Sequence, residues 1–253
     1  MAGKSSVFGV QARSVELLWK EAPRARRGPK PALSVERIVD AAIALADEHG
    51  LAAVSMERVA SEFHFTPMAI YRYVPGKAEL VDLMIDRAVG PPPVLGGEGD
   101  SWRTKLENWA QALWRMFHRH PWALEATNRL RVMGPCELAW LEAGLSALAT
   151  TRLPLGEQRS ACVVLLGHVR NTAQFSVSLP RGHSGITREQ WGTATRALIQ
   201  DRAEQYPRLL AVLSAPPPEQ AQEDTLTFGL RSVMDGIAAR EQRHKGPRRA
   251  GKR

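Results

Sequence analysis

The chain has 253 residues, enough to bury a core and to divide into one or two domains. With 44% hydrophobic and 24% charged residues, its composition excludes a wholly disordered or fibrous protein. The net charge of +8 lies in two arms, because RARRGPK (24–30) contributes +4 and REQRHKGPRRAGKR (240–253) contributes +6, leaving −2 for the rest. Basic arms of this kind suit a polyanionic partner, although a solvated arm has the same composition.

The apolar runs Val7 to Val10 and Ala161 to Leu166 are too short for a signal peptide or a membrane span. A soluble, cytoplasmic protein with no membrane partner is expected. Cys136 and Cys162 have no C-x-x-C partner and read as free thiols in a reducing compartment.

Glycine and proline clusters at 90–99, 180–185 and 216–218 punctuate a chain otherwise rich in Ala, Leu, Glu and Arg. Apolar residues recur at three and four spacings, and no segment alternates as a strand does, so the expected fold is all-α. The boundaries read as a flexible basic arm (1–33), a small helical unit (34–90), a larger helical domain (100–241) and a basic tail (242–253). Val15 to Trp19 offers at most a short helical turn.

The small unit divides into four helices. The first is capped by Ser34, buries Ile38, Ala41, Ala42 and Leu45, and stops at Gly50. A second begins at Ser55, with Met56, Val59 and Ala60 inward. Thr66-Pro67 opens the third, a hydroxyl cap followed by a proline that needs no N–H. The fourth starts near Gly76 with Leu80, Leu83, Met84 and Ala88 as its stripe. Only His64-Phe65 and the capping Thr66 separate the second helix from the third, which is the spacing of a helix-turn-helix. From Phe63 to Ala78 no acid occurs, although the unit 34–90 holds nine acids against five bases. Acid is missing where a phosphate backbone would pass.

The larger domain reads as helices at about 100–118, 121–131, 135–150, 156–179, 187–205 and 222–241. The fourth of these would be about 36 Å long. Leu226, Leu230, Val233 and Ile237 form a heptad-like stripe that suits either a second subunit or the chain's own core. Trp102, Trp109, Trp114, Trp122 and Trp140 crowd into 100–140. Trp102, Trp109, Phe117, Met133 and Trp140, with His168, Asn171 and Phe175 of the long helix, are the expected lining of an effector pocket; packing in an ordinary core is the competing expectation. His118 and His120 point about 200° apart on a helix and cannot share a metal. No HExxH, GxSxG or phosphate loop is present, so neither an enzyme nor a cofactor or metal site is expected.

Ser34–Val89, above all VSMERVASEFHFTPMAIYRYVPGKAELVDLM, resembles the N-terminal domain of the TetR family, with its T-P-x-x-[IL]-Y-x-[HY]-[VF] recognition helix and following G-K. The resemblance implies a helix-turn-helix DNA-binding domain joined to a helical ligand-binding and dimerisation domain. It also implies a homodimeric repressor, released from a pseudo-palindromic operator in double-stranded DNA by a small-molecule effector. Carried onto this sequence, it gives Ser55, Thr66, Tyr71 and Lys77 to phosphates. Pro67, Met68 and Ala69 go to base edges, and Arg72 and Tyr73 to bases or backbone. Apolar residues at 67–69 depart from a hydrogen-bonding pattern, which would shift specificity toward methyl contacts and DNA shape. Arg26 and Arg27 are placed to enter a minor groove. The rivals are a constitutive architectural DNA-binding protein without an effector, and a ligand-binding or enzymatic helical protein whose motif is vestigial.

Overall fold

The computed structural model describes residues 9–19, 33–178, 188–215 and 225–245. The described residues form twelve α-helices and two short 3-10 turns. In chain order these are α1 (Ala12–Trp19), α2 (Val35–His49), α3 (Met56–Ser61), α4 (Pro67–Tyr71), α5 (Lys77–Val89) and α6 (Trp102–Arg119). Then follow α7 (Trp122–Ala126), α8 (Pro135–Leu148), α9 (Leu155–Ser178), α10 (Arg188–Gln200), α11 (Pro207–Ser214) and α12 (Thr225–Lys245).

Local chemistry fixes the small unit. Ser34 Oγ accepts from the Arg37 N–H at 3.3 Å, and Gly50, at φ +81°, ends α2 by donating its N–H to Ala46 O. Helix α5 is different in kind. Seven successive residues, Leu80 to Asp86, are buried, so the helix is enclosed all round. It packs on α1 and α2 on one side and on α7 and α8 on the other. Both halves of the molecule share it.

The larger half is built on α9, which packs against α6, α8 and α12. Leu230, Met234 and Ile237 of α12 are buried within the chain, so the heptad-like stripe belongs to the protomer's own core. Helices α10 and α11 pack on each other and carry exposed Trp191, Leu198, Leu209 and Val212.

Three differences from expectation stand out. Residues 9–19, read as part of a flexible arm, form a 3-10 turn and α1, which lies against α5. Ser14 Oγ donates to Asp82 Oδ2 at 2.6 Å, and Gln11 Nε2 donates to Leu130 O. Helix α7 ends at Ala126 and not near 131: Thr127 is its C-cap, and Arg129 and Arg131 of the following segment bond to Asp82 of α5 and Glu137 of α8. Pro207 opens α11, where no helix was expected. Replacing Ser14 by Ala is expected to cost about 1–2 kcal/mol in urea denaturation, since the buried Asp82 then keeps Arg129 alone.

Candidate nucleic-acid interface and sensor half

The turn between α3 and α4 is closed by backbone bonds. Phe63 and Phe65 N–H both donate to Ala60 O, and His64 takes the left-handed φ of +58° that lets the chain reverse. Val59, Ile70 and Val74 are fully buried, and α4 packs on α3. What faces away is Thr66, Met68, Tyr71, Arg72, Tyr73 and Lys77. Tyr71 is 41% and Met68 68% exposed, which favours an outward role over core packing. Among the described residues, neither Arg72 nor Lys77 forms an ion pair, so both charges are free to meet a phosphate.

Two hydroxyls differ from expectation. Thr66 sits at the α4 cap position but makes no side-chain cap bond, which leaves its hydroxyl free. Ser55 is engaged instead: its Oγ accepts from the Arg58 N–H at 3.2 Å and it bonds the Glu57 carboxylate, whose pKa is lowered by its own backbone bond and by this one. Pro67 and Ala69 are half-buried, Ala69 resting on the core, so Met68 dominates the apolar part of this face. Arg26 and Arg27 lie outside the described residues.

The eight residues expected to line an effector pocket occupy several different environments. Trp109, Phe117 and Trp140 are packed in the core. Trp109 Nε1 donates to Trp140 O at 2.9 Å, and Trp140 Nε1 donates to Gly90 O at 2.9 Å. Trp102 is partly buried under the Arg103 guanidinium, and Met133 is half-buried in the loop before α8. His168 turns to α12, its Nε2 3.0 Å from Leu226 O, with Gly229 lying directly against its ring. Asn171 and Phe175 point outward, Phe175 at 64% exposure. An open groove of about 400 Å³ lies elsewhere, at the seam of the two halves between Leu51, Lys77, Val81, Ala126 and Arg129. Both thiols are free, and burial pushes each up to about 11.

Sequence reasoning passed over three carboxylates that join the halves. Asp47 of α2 lies 2.8 Å from His120 Nδ1 and accepts from Trp122 Nε1 at 2.7 Å. Asp82 of α5 accepts from Arg129 at 2.6 Å. One turn further on, Asp86 accepts from the Cys136 and Glu137 N–H groups at 2.8 and 3.2 Å, capping α8 from outside. Burial raises the Asp86 pKa and the two N–H donors partly offset it. The available signals were the acids of the small unit and the need of each buried indole N–H for an acceptor.

Residues 38–84 match the family described as bacterial regulatory proteins, tetR family, and residues 95–241 match the tetracyclin repressor-like C-terminal domain. The HTH-type transcriptional repressor DrrR1 of Streptomyces coeruleorubidus is 34% identical over 96% of this chain and 91% of its own length. Apo ActR of Streptomyces coelicolor shares the fold with a TM-score of 0.70 at 21% identity, covering 85% of this chain and 99% of that one. Its complex with actinorhodin gives 0.69 at 23% identity, covering 84% and 99%. The matched segments take in both the helix-turn-helix and the helical half that holds α5. The chain belongs to the tetR family of bacterial regulatory proteins and is a DNA-binding transcriptional repressor.

Proposed function

We propose that two copies of the chain bind a pseudo-palindromic operator, and that a small molecule held by the larger half releases them. One observation carries the reading. Helix α5 begins at Lys77 on the acid-free face and ends among side chains of the larger half, so displacing its far end moves the DNA-facing end. Coupling of this kind is typically worth ~1–3 kcal/mol. ActR bound to actinorhodin provides a relative of the same fold that takes a small molecule.

Thr66, Tyr71 and Lys77 contact phosphates, and Ser55 joins them only by giving up its bond to Glu57. Pro67 and Met68 meet thymine methyls with Ala69 behind them, while Arg72 and Tyr73 reach bases or backbone. Arg26 and Arg27 enter a neighbouring minor groove. Exposed Val163, Val164 and Phe175 of α9 and Phe228 of α12 supply the apolar face for a second subunit. The protein works in the cytoplasm, where its DNA is.

Selection of genomic fragments with the purified protein, followed by footprinting at two salt concentrations, tests the reading. A palindromic footprint is expected. Lys77→Met should weaken binding by about ten-fold and reduce the salt slope by about 1. Tyr71→Phe should weaken it less and leave that slope unchanged. Broad binding without a preferred site, or full affinity in Lys77→Met, sinks it.

A further inference from the structure

Two guanidiniums lie within electrostatic reach of each other in the larger half, and among the described residues one carboxylate pairs with them. Arg131, in the loop before α8, has a side chain 6% exposed and is paired with Glu137, one of its bonds to that carboxylate measuring 2.6 Å. Its Nε is buried with no hydrogen-bond partner. Arg170, on α9, reaches across to α7, where it donates to Leu124 O at 3.0 Å and to Thr127 Oγ1. Its guanidinium stands 5.5 Å from the centre of the Phe117 ring. No ion pair to Arg170 is present among the described residues, and Arg131 is near enough for the like charges to repel. Desolvation draws the Arg170 pKa down, with that repulsion adding to it.

A hook between helices needs hydrogen bonds, not charge. A half-buried cation with neutral partners and a second cation beside it costs free energy that a polar but uncharged side chain avoids. A guanidinium has five N–H donors, and the bonds at Leu124 and Thr127 use two of them. The unmet charge and the remaining donors suit a carboxylate, which the fork can hold bidentately. Phe117 and the α7 segment at Leu124 give the guanidinium a largely apolar surround.

We propose that Arg170, with Arg131 beside it, is the anchor of the effector, and that the effector is an organic carboxylic acid with an apolar body. The assignment rests on the effector-gated reading above. It also supplies a route to the DNA-binding half. Arg129, two residues before Arg131, holds Asp82 of α5, so an acid that reorders this loop acts on α5 directly.

The test uses the full chain with benzoate, 2-naphthoate and 9-anthracenecarboxylate, each beside its neutral amide. Binding is read by tryptophan fluorescence and calorimetry, and release by affinity for the selected duplex. At least one acid should bind about ten-fold tighter than its amide, because a desolvated carboxylate–guanidinium contact replaces a neutral one. Arg170→Met should erase that ratio with the far-UV spectrum unchanged. If Arg170→Met fails to fold, Arg170→Lys is read in its place; it keeps the charge without the fork, and a reduced ratio is expected.

Equal binding of acids and amides, no binding by any acid, or a ratio that survives at position 170 overturns the anchor. The gated reading fails separately. A neutral ligand that releases DNA overturns the acid and keeps the gating, whereas an acid that binds through Arg170 without changing duplex affinity keeps the anchor and overturns the gating.

Discussion

Trp109→Ala is expected to lower stability by about 4 kcal/mol, measured as a shift of the urea midpoint at unchanged slope. The side chain is 1% exposed, and it joins α6 to α8 through the bond from its Nε1 to Trp140 O. On the α8 side it lies over Gly144, where a Cβ would come within 3.1 Å of the indole. Backbone, not a movable side chain, therefore forms one wall of the space that alanine would leave. The site collapses poorly, which puts the cost toward the upper end for a large-to-small change. The indole bond to Trp140 O is lost as well, though that carbonyl sits within the α8 ladder. Trp109→Phe separates the two effects, since it keeps most of the volume and loses only the bond, at about 1–2 kcal/mol. Domains are stable by only about 5–15 kcal/mol, so the alanine variant stands near the edge of folding. A cost below that of the phenylalanine variant would mean that this indole lines an open space and is not part of the packed frame.

Trp109 also marks where sequence reading stopped. The four helices of the DNA-binding unit were legible because each is announced by its own residues: Ser34 and Gly50, Ser55, Pro67, and Gly76. Short-range signals suffice there, and the outward side chains of α4 follow once Ile70 is placed inside. The helices α6, α8, α9 and α12 were legible from periodicity in the same way. Other features depend on contacts distant in sequence. Helix α1 is held by Ser14 against Asp82, 68 residues away. Thr66 has the look of a cap but makes no cap bond. The crowding of tryptophans between 100 and 140 read as the wall of a pocket, yet Trp122 and Trp140 use their N–H groups to fasten the larger half to Asp47 and Gly90. Composition counts their apolar area and is silent about where the one polar atom goes. His168, Asn171 and Phe175 lie on one side of α9, but His168 is taken up by α12 while Asn171 and Phe175 are exposed.

Gly134→Ala is the sharpest test of how the two halves are joined. Gly134 precedes α8, and its φ of −77° is open to any residue, so backbone strain does not explain glycine there. The reason is Asp86: a Cβ at position 134 would overlap its carboxylate and crowd its Cβ as well. Rotating the carboxyl group alone cannot relieve this, because the Asp86 Cβ is itself in the way. The variant must push α8 off α5 or swing Asp86 out, and either loses the bonds to the Cys136 and Glu137 N–H groups. Overpacking and two orphaned donors together should cost about 2–4 kcal/mol. Asp86→Ala alone should cost about 2 kcal/mol by uncapping α8. In the double variant Gly134→Ala/Asp86→Ala the new methyl occupies space the carboxylate has left, so the two losses should fall short of additive by about 1–2 kcal/mol. Strict additivity would show that Gly134 and Asp86 do not touch, and α5 would then lose its direct grip on the larger half at this end. The same cycle measured on operator affinity shows whether the cap is also part of the linkage that moves Lys77.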